Sequence, residues 1–189
     1  MNIFILDKDP DIAATMHCDK HVVKMIVESA QMLSTAHRLL DGQLSHITKK
    51  SKSGNWRKAK LWTLDDPDKE SILYHAVHMN HPCTRWTMEC AENYEWHWQL
   101  FSALCSEYTH RYQKIHATET RLLEILVDPP KNIEYNHGVT QFPLAMKSEP
   151  QCMHPDDPVR SYREFYQTKQ DRFKMVWTNR EKPEWFQYR

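Results

Sequence analysis

The sequence predicts an all-α, or mainly α, compact single domain: a helical bundle with long loops. Three observations lead there. Only 3 of the 189 residues are glycine, too few for a domain built on many tight β-turns. Apolar residues recur at helical spacing over two long stretches, about 11–40 and 84–112. The chain is 40% apolar and shows no internal repeat and no linker, which suits one core.

Residues 1–9 read as a short extended start, with Ile3, Phe4, Ile5 and Leu6 apolar, and Asp9-Pro10 turns the chain. A long helix is expected over 11–40, carried by Ala13, Ala14, Val22, Met25, Ile26, Ala30, Leu33, Ala36 and Leu40 and stopped at Asp41-Gly42. Residues 43–68 read as a surface loop of little regular structure. A short helix is expected over 69–80, ending at His81-Pro82. The stretch 84–112 reads as one long amphipathic helix with Trp86, Cys90, Tyr94, His97, Phe101, Leu104 and Tyr108 on its stripe. Another helix is expected over 117–127, stopped by Pro129-Pro130, followed by loop over 131–155. Asp157-Pro158 is an N-cap and first-turn pair for a last helix over 158–177. An aromatic tail ends the chain.

Composition excludes several function classes. The three glycines (Gly42, Gly54 and Gly138) are isolated, so neither a dinucleotide nor a P-loop glycine motif can form. No apolar run approaches the roughly 18 residues of a membrane span. The opening MNIFILDKDP lacks the basic and then apolar regions of a signal peptide. Five cysteines without a CxxC pair read as reduced, buried thiols. The expectation is a cytoplasmic protein with no membrane partner.

Three constellations could carry chemistry. On the first long helix, His17, His21, Lys24, Glu28, Gln31 and Thr35 fall within about 80° of one another, while most of the remaining wheel is apolar. Such a stripe is either the solvated edge of a buried helix or a lined site in which Glu28, beside His21 and Lys24, works as an acid or base. The second is His75, His78 and His81, spaced by three. With His17 and His21 they allow a metal reading, though no recognised ligand spacing completes it. The third is the run Lys49, Lys50, Lys52, Arg57, Lys58 and Lys60, interleaved with Trp56 and Trp62, with no acid between Asp41 and Asp65. It reads as a solvated loop or as a nucleic-acid contact, since clustered cations gain from counterion release and rings stack on bases. Trp185 and its neighbours Phe186, Gln187, Tyr188 and Arg189 repeat the aromatic and basic theme.

Met1 to Asp7, Asp19-Lys20-His21 with Glu28 seven residues after the histidine, Tyr74-His75, Asn80-His81-Pro82, Arg85-Trp86, Glu107 and Arg111-Tyr112 together resemble the small helical pyrimidine-dimer DNA glycosylases of the endonuclease V type. The likeness covers about half the chain. The opening is also similar to uncharacterised phage-type proteins. The glycosylase resemblance implies an α-helical enzyme that flips a nucleotide from duplex DNA. The amine of the mature N-terminus attacks the sugar C1′, the base leaves through an imine, and β-elimination nicks the strand. It implies Glu28 as the catalytic carboxylate, His21 as a site-shaping residue and, once Met1 is removed, Asn2 as the bearer of the amine. Lys24 is the competing amine by helix position. His17, Gln31, His78, His81, Arg85 and Trp185 are expected to contact substrate together with the basic run. Val27 and Gln31 stand where the family has arginines, and the net charge is zero.

The leading expectation is thus a glycosylase/AP-lyase or related base-processing enzyme that acts on duplex DNA without a cofactor or metal. The alternatives are a histidine-rich metal-dependent hydrolase of nucleotides or nucleic acid, and a non-catalytic module that binds nucleic acid or protein.

Overall fold

The protein, described by a computed structural model over residues 2–51 and 53–189, is mostly helical, with one small sheet. Its helices are α1 (Pro10–Met16), α2 (Asp19–Asp41), α3 (Pro67–Ile72), α4 (Pro82–Thr87), α5 (Ala91–Tyr112), α6 (Ala117–Leu122) and α7 (Pro158–Gln167). Three of them share a start signal. Asp9, Asp66 and Asp157 each precede a proline, and each side chain accepts backbone N–H bonds of the first turn. Proline supplies a preset φ where its missing N–H costs nothing, and the carboxylate satisfies orphan donors.

The core is organised around α2, which packs against α5, α4 and α6, while α1 lies on α5. The N-terminal segment Ile3, Phe4, Ile5 and Leu6 is buried in this core. An ionic knot ties α5 to the start of α2. Glu107 accepts from Arg111 Nε at 2.6 Å and from Arg180 Nη2 at 2.8 Å, and Arg111 Nη1 reaches Asp19 Oδ1 at 2.8 Å. Glu107 and Arg111, part of the sequence resemblance, are therefore structural ties.

The expectation of an all-α chain is corrected in one region. Residues 43–68 are not an irregular loop. They contain an antiparallel hairpin, β1 (Gln43–Lys50) paired with β2 (Trp56–Thr63), running from Gln43 opposite Thr63 to Lys50 opposite Trp56. Its base is clamped by Arg38, a buried side chain on α2. Arg38 Nη1 donates to Trp62 O at 2.9 Å and to Glu70 Oε2 at 2.6 Å, Nε donates to Tyr74 O at 2.7 Å, and Nη2 donates to Leu73 O at 2.9 Å. Glu70 in turn accepts from the Leu64 N–H at 2.8 Å. Gly42 makes the bend possible, because a Cβ there would stand 2.3 Å from the Arg38 carbonyl oxygen.

Several helices are shorter than their apolar periodicity suggests, and tertiary partners explain two of the breaks. The expected helix 11–40 is interrupted at His17-Cys18, both extended. There the Cys18 N–H bonds to Tyr166 Oη at 2.9 Å and the Asp19 N–H to Val176 O at 2.8 Å, in place of intrahelical bonds. The expected helix 84–112 divides into α4 and α5, and the first N–H of α5, from Ala91, bonds to Glu134 O at 2.8 Å. The helix expected over 69–80 ends at Ile72, that over 117–127 at Leu122, and that over 158–177 at Gln167, where a 3-10 turn over 168–171 takes over. All five cysteines are free and buried. No helix among the described residues is long and apolar enough to cross a membrane.

Candidate active site and basic ribbon

The first turns of α2 and the buried N-terminal segment meet the end of α7 around a pocket of about 300 Å³, the lower end of ligand-sized cavities. Asn2, His21, Lys24 and Glu28 all line it. The Asn2 backbone nitrogen donates to Glu28 Oε2 at 3.2 Å, and Lys24 Nζ lies 3.3 Å from Glu28 Oε1. Asn2 is held from several directions. Its side-chain amide donates to Ala145 O at 3.2 Å, and its Oδ1 accepts from Tyr162 Oη at 3.2 Å and from Cys83 Sγ at 3.3 Å.

His21 is also fixed. Its Nδ1 lies 2.7 Å from Tyr166 Oη, which already accepts from the Cys18 N–H. Phe4 stacks on the imidazole with 4.9 Å between centroids. Burial, reinforced by His17, Lys24, Lys169 and Lys20, pushes the His21 pKa down to about 3, so the ring is neutral at pH 7.

The opposite wall, which helical periodicity does not reveal, comes from α7 and the turn after it: Phe165, Lys169, Arg172 and Phe173. Lys169 Nζ sits 3.2 Å from the Phe165 ring centroid and Lys20 Nζ 4.4 Å from that of Phe173. The pocket thus has four cations (Lys20, Lys24, Lys169 and Arg172) to one carboxylate, between aromatic walls. The one sequence signal for this wall is the spacing of Phe165, Lys169 and Phe173 by four, but α7 ends at Gln167, so it is the turn after the helix and not a helical face that brings them together.

Other expected site residues lie apart. The break before α2 removes His17 from the polar stripe. It is fully buried, donates from Nδ1 to Ala13 O at 2.7 Å, and does not line the pocket. Gln31, one turn beyond Glu28, is half-buried and does not line it either. His81 caps α4, its Nδ1 accepting from the Cys83 N–H at 3.2 Å. Burial holds its pKa below the usual value while Glu28 pulls the other way, so the two side chains are within electrostatic reach. His78 precedes it in a left-handed backbone conformation, φ 48°. Arg85 lines a separate open cleft of about 750 Å³ with Trp86, Glu89 and Lys147. Trp185 lines another, of about 400 Å³, with the Arg163 guanidinium 5.6 Å from its ring. Among the described residues no three His, Cys, Asp or Glu side chains are grouped so as to hold a metal ion.

Lys49, Lys50, Arg57, Lys58 and Lys60 stand on the hairpin, and Lys52 lies outside the described residues. Directly opposed residues share a face of an antiparallel pair. Lys50 with Trp56, Thr48 with Lys58, and His46 with Lys60 therefore form one basic-aromatic face, and Lys49 with Arg57 lies on the other. Trp56 is 70% exposed. The hairpin base is 13 to 14 residues along α2 from Glu28, about 20 Å at helical rise.

No protein-family model, curated protein or solved structure matches the chain.

Proposed function

We propose that this chain is a base-processing enzyme of the DNA glycosylase/lyase type, acting on a nucleotide flipped from a duplex. The observation that carries the reading is the Asn2 nitrogen 3.2 Å from Glu28 Oε2 inside a ligand-sized pocket. Removal of Met1 turns that nitrogen into an α-amine, which titrates near neutrality and is a usable nucleophile. The amine attacks the sugar C1′, the C1′–N bond breaks, and the base leaves with the electron pair and takes up a proton. The ring-opened imine then undergoes β-elimination. Glu28 stabilises the cationic sugar and accepts the amine proton. The neutral His21, held by Tyr166 Oη at 2.7 Å, offers the substrate an uncharged polar contact.

The basic ribbon supports a duplex partner. Cations facing each other across two strands, such as Lys49 and Arg57, repel when alone, and a polyanion removes that repulsion with release of its counterions. A two-stranded ribbon also fits a major groove.

The test is borohydride trapping on a panel of duplexes with damaged and modified bases, after intact mass has shown whether Met1 or Asn2 begins the chain. The expected result is a covalent adduct at the residue-2 amine, abolished by acetylating the terminus and retained by Lys24→Met. The opposite pair of results moves the chemistry to Lys24. No adduct on any substrate overturns the reading.

A further inference from the structure

An ammonium taken out of water is costly unless an anion or a full set of hydrogen bonds replaces its hydration. Lys169 has neither. It is 7% exposed, it lines the pocket, and no hydrogen bond or ion pair reaches its Nζ among the described residues. Its contact is with the face of Phe165, which offsets only part of the lost hydration. Glu28, the one carboxylate of the pocket, is engaged by Asn2 and Lys24. Glu149 favours the charged amine from outside ion-pair range, whereas Arg172 and Lys24 oppose it. The cavity thus carries a largely buried lysine whose charge opens into it and is paired by no carboxylate of the described residues, with Lys20 and Arg172 also lining it and aromatic rings alongside.

We propose that this end of the pocket is a phosphate subsite, with Lys169 as the buried ligand of a nucleotide phosphate and Lys20 and Arg172 as its outer ligands. The proposal rests on the reading of the pocket as the substrate site and adds what the Asn2–Glu28 pair does not supply, a handle on the backbone of the substrate. Phe4, His21, Phe165 and Phe173 give the adjoining base and sugar apolar surface. Desolvation by burial, with Arg172 next, holds the Lys169 pKa down to about 8. A bound phosphate reverses that shift. The phosphate can belong to a free mononucleotide or to a phosphodiester within a strand, and the chemistry is the same.

The experiment compares binding of inorganic phosphate, a deoxynucleoside 5′-monophosphate, its nucleoside and a duplex oligonucleotide to the intact protein, to Lys169→Met and to Lys169→Arg. Protection of Lys169 from amine acylation, mapped by mass spectrometry, is the second readout and needs no variant. The expected result is about a ten- to hundredfold loss of monophosphate or duplex affinity in Lys169→Met, the range of one charge-assisted bond. Lys169→Arg should retain most of the affinity, nucleoside binding should not change, and the phosphate ligand should slow acylation. Weakened binding of the monophosphate places the ligand on a free nucleotide, and weakened binding of the duplex alone places it on a strand. Unchanged affinity for every phosphate ligand, or acylation of Lys169 at the same rate with and without them, overturns the subsite. A Lys169-dependent phosphate affinity alongside failed adduct trapping leaves the subsite standing and removes only the lyase reading.

Discussion

The pocket and the ribbon hold lysines in opposite physical states. Lys169 is buried against Phe165 with its pKa pulled down to about 8, whereas β1 carries Lys49 and Lys50 out in solvent. A charge in water is screened within about 10 Å at ordinary salt, and a desolvated one is screened far less. The same residue type therefore serves two ends. The ribbon can attract a polyanion of any sequence from a distance, and the pocket can discriminate a single group at close range. A formal net charge of zero hides both, because acids elsewhere on the surface balance them.

Acid should have the largest effect, and it should act through the buried helical body and not through the ribbon. His17 and His37 are held at about 4, and His21 and His97 at about 3, all chiefly by burial. These folded values lie below the unfolded one near 6.5, so the stability tied to the neutral rings is complete above pH 6.5. Below it the unfolded chain binds protons that the folded one refuses. Each pH unit then costs about 1.4 kcal/mol per histidine, or roughly 5 kcal/mol for the four. The loss levels off once the folded rings protonate, near pH 4 to 3. Melting temperatures between pH 7 and 5 check this, and a flat profile would mean that the four rings are solvated.

Glu28→Gln should cut turnover by about 10²- to 10⁴-fold, the span of general acid–base catalysis. Duplex affinity should stay near that of the parent protein, because the ribbon is untouched, and stability should change by less than about 1 kcal/mol, because no cavity opens. Retained turnover would break the functional half of the comparison.

Arg38→Met should cost about 3 kcal/mol, since the carbonyls of Trp62, Tyr74 and Leu73 lose a buried charged donor. Hydrogen exchange over 43–63 should rise above that of α5. Equal protection would show that the ribbon holds itself.

Replacing Lys49, Lys50, Arg57, Lys58 and Lys60 with glutamine should have the smallest effect on the folded state, within about 0.5 kcal/mol. Duplex affinity at low salt should fall about ten- to hundredfold. The slope of log K against log salt should drop by about 0.9 for each phosphate that the ribbon no longer neutralises. An unchanged slope would make the ribbon a solvated hairpin only.

Much of this is legible from residues alone. The mainly helical class follows from the periodicity around Val22, Ile26, Ala30 and Leu33, of which all are buried. The burial of Ile3 to Leu6 follows from four apolar residues in a row, and Asp157-Pro158 marks the start of α7. The same Asp-Pro signature at Asp66-Pro67 starts α3 two residues before the helix expected from periodicity. The hairpin escapes a sequence reading because its strands carry charge on both faces. Exposed strands have no apolar alternation to betray them. The clamp that makes them a sheet comes from Arg38, an arginine whose place in the sequence marks it only as part of a helix.

The sequence by itself determined that the chain is mainly helical, that the opening segment is apolar enough to be buried, and that Glu28, Lys24 and His21 share one side of α2, because helical period and hydrophobicity are local properties. Tertiary structure alone decided the rest. It ended the helix pattern at His17-Cys18 by giving Tyr166 Oη to the Cys18 N–H, and it brought Asn2 to Glu28 across 26 residues. It also carried Lys169 to the same pocket from the far end of the chain. Backbone hydrogen-bond partners and the desolvation of a charge depend on what the rest of the chain places nearby, and no local pattern encodes that.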